Sequence, residues 1–455
     1  MAAWRNTLPR ARPVELYEVL GDPDHPAFLD LGRLLWTLVT TQPQWVYRRV
    51  ETVSPVGRRS FRRHLSVDCL VPSDVVELAT DLGLERFCVP LRILRKAPLL
   101  AFDLRLDNDA VPLLTREQNG MATEALLYAA AEQLRRPLTP ELEEALAHVA
   151  TTRDASAEEA LKLLGLADGD VDLGDAVKPG ELAGMAPTLV RWAVSTLGHS
   201  FLLLADVGLE RLRRRAVFKI TDESQIWPGP ERLRSKIGWF PTSFVFDTPD
   251  VVATGSYHFE FRAPPGLVAT EGELLAVGAG GDRADADVPF GEAESRGPVL
   301  GLVARRQVPE ALGYNAEVWV RPAPEGLLHT SLLSSAVATV TLLLAAALAG
   351  RLDRTQLESA IALILLLPGI ASAFFARPTE HTLVSALFRG IRALVLVSAF
   401  SIFAAAGALV VGLSPFHLGL TWLLLGLVSG VSTVMLAFAT YVSSKAVRAA
   451  GALSP

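Results

Sequence analysis

Leu327-Leu-His-Thr-Ser-Leu-Leu-Ser-Ser-Ala-Val-Ala-Thr-Val-Thr-Leu-Leu-Leu-Ala-Ala-Ala-Leu-Ala-Gly350 is a run of 24 residues without an aspartate, glutamate, lysine or arginine. Ser359 to Ala376 gives a second such run of 18, and Ala393 to Ser444 a third of 52. A helix needs roughly 20 apolar residues to cross about 30 Å of hydrocarbon. The longest run is too long for one crossing, and Gly412-Leu-Ser-Pro-Phe-His417 supplies the break, because Gly412 and Pro415 are turn formers. The pattern predicts four transmembrane helices, over about 329–350, 357–376, 391–412 and 418–442. Buried core helices are the alternative, but four near-consecutive runs of this length are rare in a soluble fold.

Orientation follows from the short loops. With four spans both termini share one side, and that side carries Arg321, Arg377, Arg389, Arg392, Lys445 and Arg448. The other side has only Arg351 and Arg354. The positive-inside rule therefore predicts cytoplasmic termini and a multi-pass protein of the cell's inner membrane. Met1 to Leu20 carries Arg5, Arg10 and Arg12 and no apolar stretch, so no export of the body is expected.

The 455-residue chain has a net charge of −6, but the tail from Leu327 onward is +4 and the preceding 326 residues are −10. An acidic body argues against nucleic acid as a partner. Half the residues are hydrophobic and 20% are charged, which excludes global disorder. Two cysteines, Cys69 and Cys88, exclude a disulfide-stapled scaffold. Lysine is scarce, six against 37 arginines, a bias expected of a high-GC bacterial genome.

The predicted spans hold no charge at mid-depth, which lowers the expectation of an ion-coupled transporter. They hold small residues instead: Ser331, Ser334, Ser335, Thr339 and Thr341 in the first, and the GxxxG step Gly426–Gly430 in the fourth. Such residues let helix backbones approach, either within one bundle or between the protomers of a homo-oligomer. Pro368-Gly369 is expected to kink the second span. Leu383, Val384, Leu387, Phe388 and Ile391 recur at helical spacing, as an interfacial amphipathic segment or as an extension of the third span.

The body reads as mixed α and β. Pro13 to about Thr40 is helical. Leu65, Val67, Cys69 and Val71 alternate with His64, Ser66, Asp68 and Leu70, the period of a half-buried strand with Cys69 inward. A strand over Leu99–Leu106 ends in an Asp107-Asn-Asp109 turn. Thr115-Arg-Glu-Gln118, Thr139-Pro140 and Ser156-Ala-Glu-Glu159 open three helices. A helix then leads into a strand over Phe201–Ala205, and Arg211 to Ile220 reads as the return strand. From Thr242 to Arg321 short strands follow one another (251–253, 256–262, 267–276, 299–304, 315–320), the signature of a small β-sandwich. Gly278 to Glu294 reads as a mobile acidic loop. The predicted fold is an α+β cytoplasmic body including a sandwich, followed by an all-α four-helix membrane domain. Its divisions fall at 1–185, 186–326 and 327–455, and residues 1–320 are expected to hold their own cores.

No P-loop, nucleophile elbow, HExxH or zinc spacing occurs, and no catalytic residue, cofactor or metal is assigned. Asp168-Gly-Asp170-Val-Asp172 suggests a calcium loop, but position 6 is Leu173 and position 12 is Pro179, so it reads as a solvated turn. Two arginine clusters remain: Arg48, Arg49, Arg58, Arg59, Arg62 and Arg63 around a predicted hairpin, and Arg211, Arg213, Arg214 and Arg215. Arginine forks suit phosphate and carboxylate, so both clusters are candidates for an anionic ligand or the anionic inner leaflet. The bland reading pairs them with the body's excess carboxylates.

Leu113-Leu-Thr-Arg-Glu-Gln-Asn119, Phe201-Leu-Leu-Leu-Ala-Asp206 followed by Arg213-Arg-Arg215, and Ala376-Arg-Pro-Thr-Glu-His381 carry a resemblance over most of the chain. The chain resembles a family of high-GC bacterial membrane proteins with a β-rich cytoplasmic body and a C-terminal helical membrane domain. The resemblance implies architecture and no activity. The expected function is non-enzymatic: a cytoplasmic domain that senses an anionic ligand or recruits a protein partner. A membrane-perturbing effector or gated channel subunit is the second reading, and an enzyme assembled from distant residues the third.

Overall fold

A computed structural model gives the fold and describes residues 15–97, 99–135, 137–153, 155–166, 182–226, 233–248, 251, 253–277, 291–296, 299–304, 313–351 and 381–452. The predicted second span, the Asp168–Gly174 turn and most of the acidic loop after Gly278 lie outside the described residues.

The N-terminal helical stretch is broken in two, α1 (Leu16–Gly21) and α2 (Phe28–Thr40), because Pro23 and Pro26 cannot continue a helix. A turn, α3 (Gln42–Trp45), leads into the hairpin β1 (Val46–Pro55) and β2 (Ser60–Cys69). After α4 (Ser73–Asp81) come β3 (Arg86–Arg95), β4 (Leu100–Leu106) and β5 (Asp109–Ala110). Asp107 and Asn108 close the last turn with φ of 50° and 81°, the conformation a tight hairpin needs. The capping box is realised at α5 (Arg116–Gln133): the Gln118 N–H donates to Thr115 Oγ1 at 3.2 Å, and the Thr115 N–H to Gln118 Oε1 at 2.9 Å. α6 (Pro140–Thr151), α7 (Glu158–Leu163) and α8 (Leu182–His199) follow, then β6 (Ser200–Gly208).

The return strand starts later than its sequence suggests. Leu209–Leu212 turns as α9, and β7 runs from Ala216 to Gln225. After α10 (Leu233–Lys236) come β8 (Thr242–Asp247), β9 (Tyr257–Arg262), β10 (Leu267–Val277), β11 (Gly291–Arg296), β12 (Val299–Ala304) and β13 (Gly313–Pro322). Val251, expected at the start of a strand over 251–253, lies in a turn instead, its N–H reaching Thr248 O at 3.3 Å. β11 occupies the end of the stretch expected as acidic loop, paired antiparallel with β12.

Eight strands form one mixed sheet in the order β11-β12-β9-β1-β2-β7-β4-β5, with β1 and β9 parallel. β10-β13-β8 form a second sheet and β3-β6 a third. The large sheet takes strands from both sides of residue 185, so it runs through the division drawn there. Two apolar cores result. The first gathers Leu65, Val67, Phe87, Leu126, Leu204 and Phe218 from the helices, β3, β6 and one end of the large sheet. The second joins Val53, Phe61, Phe259 and Phe261 at the other end to Phe244, Tyr314 and Val318 of the three-stranded sheet.

Beyond a kink at Pro324–Leu328, where Glu325 and Gly326 leave the helical conformation, come α11 (His329–Leu348), α12 (Thr382–Leu387), α13 (Arg389–Val410) and α14 (Pro415–Ala452). Three of them, α11, α13 and α14, are long and apolar enough to cross a membrane. The break expected at Gly412–His417 is present, with Gly412 at φ 73°. Their outward faces expose Val340, Leu344, Phe400, Leu424, Val431 and Val434, an apolar surface that water would penalise and lipid would not. The amphipathic stretch after Thr382 begins as a separate short helix, and its apolar residues meet protein: Leu383, Val384 and Leu387 of α12 and Ile391 of α13 are buried in the second core.

Candidate functional site

Alternation along β1 turns Arg49, Glu51 and Val53 to the same inner face of the large sheet. Arg63 on β2 lies on that face, directly across from Asp222 of β7, and Tyr257 of β9 lies beside Arg49. The sixth member, Arg92, comes from the separate β3-β6 pair. The β3 register slips between Pro90 and Arg92, and this bulge re-aims the strand. All six side chains belong to residues that are buried, Arg49 and Glu51 completely. They form an ionic seam between the two apolar cores.

The seam is internally bonded. Tyr257 donates to Glu51 Oε2 at 2.5 Å. Arg63 Nε stands 3.3 Å and Arg92 Nη2 3.5 Å from Glu51 Oε1, and Arg92 Nη1 stands 3.4 Å from Asp222 Oδ1. Backbone carbonyls take two further guanidinium nitrogens: Arg49 Nη2 donates to Leu91 O at 2.9 Å, and Arg63 Nη2 to Asp247 O at 2.9 Å. Burial by itself pushes the Glu51 carboxyl up. The guanidiniums of Arg63 and Arg92, the Tyr257 hydroxyl and Arg49 outweigh it and hold Glu51 below its ordinary value. Burying ions costs several kcal/mol each, so a layer of this kind persists only where each charge has partners.

A groove of about 1160 Å³ opens on the seam, with Arg63, Arg92 and Asp222 as its buried lining. Its exposed lining includes Arg95, Leu99, Leu100 and Val245. Lys96 reaches in from the end of β3, oriented by Val149 O at 2.6 Å and Thr152 O at 2.8 Å. A smaller cavity of about 390 Å³ shares Lys96, Leu99 and Arg153 with it and adds Arg116 and Asn119. A third cleft, of about 900 Å³, has two ion pairs in its lining. There Arg86 Nε meets Asp206 Oδ1 at 2.8 Å, and Arg211 meets Asp109 at 3.0 Å.

The arginines of the two clusters read from sequence take up different surroundings. Arg62 and Arg63 point to opposite faces: Arg62 Nη2 pairs with Glu223 Oε1 at 2.6 Å, while Arg63 enters the seam. Arg58 and Arg59 lie exposed at the hairpin tip. Arg213, Arg214 and Arg215 are exposed in the turn before β7, not on a strand. Arg215 grips Asp68 at 2.6 and 2.5 Å and covers the Tyr47 ring at 5.4 Å. Of the ten arginines in the two clusters, Arg63 lines the groove and Arg49 lies in the seam. Glu51, Arg92, Asp222 and Tyr257 were not singled out from sequence. A charged pair at alternate positions, Arg49 and Glu51, leading into inward Val53 was the available signal, but Arg48, Val50 and Thr52 fit the opposite parity as well.

Both thiols are core groups, pushed up to about 12 by burial. Among the described residues no group of three His, Cys, Asp or Glu side chains could hold a metal. In the helical region Gly426 and Gly430 face α11: a Cβ on Gly426 would stand 2.9 Å from Leu343 Cδ2, and one on Gly430 3.5 Å from Thr339 Cγ2. Beside them Ser335 bonds Ser398 at 2.7 Å and Thr433 at 2.9 Å, and Thr339 bonds Ser429 at 2.9 Å. These hydroxyls tie α11, α13 and α14 together. No family model and no curated protein sequence matches this chain.

Proposed function

We propose that the chain is a multi-pass protein of the inner membrane, whose β-rich body stands in the cytoplasm and senses or recruits, without catalysing a reaction. The observation that carries this reading is the shared second core. Leu328, Leu383, Leu387, Phe388, Ile391 and Leu436, from the membrane-proximal turn, α12, α13 and α14, are buried with Phe244, Phe259 and Tyr314 of the body. Polar contacts reinforce the joint: the Trp239 indole donates to Met435 O at 3.0 Å, and Ser443 to Pro322 O at 2.5 Å. A simple tether needs no such joint. A body that reports its state to the bundle does.

The four-span reading gains support from the ends of the segment between α11 and α12. Ala349 belongs to the bundle core remote from the body, while Leu383 belongs to the core shared with it, so the two ends of that segment stand at different ends of the bundle. The sandwich reading gains support from the packing of the three-stranded sheet over β1, β2, β9 and β12. The channel reading draws on the buried hydroxyl cluster, but those hydroxyls bond one another and close the helix junction. Reporter fusions after Pro455 and at Ser414 test the topology. A fluorescent cytoplasmic reporter at Pro455 and an active exported reporter at Ser414 are expected, and the reverse pattern overturns the proposal.

A further inference from the structure

We infer that the groove over the ionic seam binds a small amphiphilic anion, with a phosphate or carboxylate head and an apolar body. The inference rests on the sensing reading and names what is sensed. Among the described residues five cationic side chains line the groove (Arg63, Arg92, Arg95, Lys96 and Arg153) against three carboxylates, Asp222, Glu223 and Asp247. That is an excess of two positive charges on a body that carries −10 in sequence. One of the three carboxylates, Glu223, is already held by Arg62. Two of the cations, Arg63 and Arg92, are at most 8% exposed, so their placement does not depend on mobile surface side chains. Arg95 makes no ion pair among the described residues.

The apolar half of the ligand is set by the rim. Leu100 is 51% and Val245 45% exposed, on opposite elements of the same opening, and Leu99 stands between the groove and the smaller cavity. Large aliphatic side chains left in water beside fixed cations fit a ligand with a greasy body and a charged end. Guanidinium forks favour planar or tetrahedral oxyanions over halide. Binding would bear on the seam directly, because Arg63 and Arg92 both contact Glu51 inside it. The seam joins the two cores, and the second core is the one shared with the helices.

The test uses the full chain in nanodiscs of zwitterionic lipid, with octyl phosphate, octanoate, inorganic phosphate and octanol as probes and calorimetry as the readout. Saturable binding of octyl phosphate or octanoate is expected, at least tenfold tighter than that of inorganic phosphate or octanol. Arg95→Gln, which changes an exposed side chain, should weaken it at least tenfold without moving the melting temperature. Leu100→Ser should weaken octyl phosphate and leave inorganic phosphate unchanged. Partition into the lipid is insensitive to these variants, so a signal that none of them moves overturns the inference, as does equal binding of octanol. Binding that survives while the C-terminal reporter proves exported would uphold the groove and refute the cytoplasmic assignment alone.

Discussion

Glu51 shows how one residue can be both costly and indispensable. It is fully buried, and two guanidiniums and a phenol hold its charge in place. Removing that charge takes away the carboxylate that Arg63 and Arg92 both contact, so Glu51→Gln should destabilise the body by about 3–5 kcal/mol, the scale of breaking a buried pair. A denaturant titration of the full chain in detergent measures it. The pH dependence has a definite sign. The Glu51 carboxyl titrates below its ordinary 4.5 in the fold, so its stabilisation is complete above that value and is lost as pH falls through the lower, folded value. The wild-type chain should therefore lose stability below about pH 4 more steeply than Glu51→Gln does.

Individual elements depend on close approaches that their own sequences do not announce. α2 crosses α5 at Gly32, where an added Cβ would fall 2.0 Å from Ala125 O, a backbone atom that cannot step aside. Gly32→Ala should cost about 1–3 kcal/mol by prising the helices apart, read as a lower melting temperature with the caps intact. Thr115→Ala, by contrast, should cost about 1 kcal/mol, because it removes only the N-cap of α5. In the bundle, Gly426→Ile would drive a branched side chain into Leu343 and separate α14 from α11. A lower melting temperature with unchanged size in detergent is expected. A change of oligomeric state instead would place the glycine step between protomers.

At the scale of the molecule, the body and the helices are one packed object. A chain ended at residue 322 would uncover the patch where Leu328, Leu387, Phe388, Ile391 and Leu436 sit against Phe244 and Val320. Such a chain should bind hydrophobic dyes and stay in solution only with detergent, while the first core, which among the described residues uses none beyond Ile220, keeps its fold. A monodisperse, dye-negative fragment would mean that the joint adds little to the second core.

The sequence by itself determined what depends on neighbours along the chain. A charge-free run either reaches across a bilayer or does not, and three of the four predicted spans stand as long apolar helices. The alternation of Leu65, Val67 and Cys69 sets which side of β2 is buried, and Thr115 with Gln118 sets where α5 begins. The prolines before α2 and the late start of β7 show how a break or turn within reach of the eye can still be placed wrongly. The ionic seam belonged to tertiary structure alone. Arg92 lies 41 positions from Glu51, and Tyr257 lies 206. Their meeting depends on strand order, on a parallel pairing of β1 with β9 and on a one-residue bulge in β3. A charge on an alternating strand looks the same in sequence whether it faces water or an opposite charge. Only the arrival of the partner strand decides which, because burial of an ion is stable only when its counter-ions arrive with it.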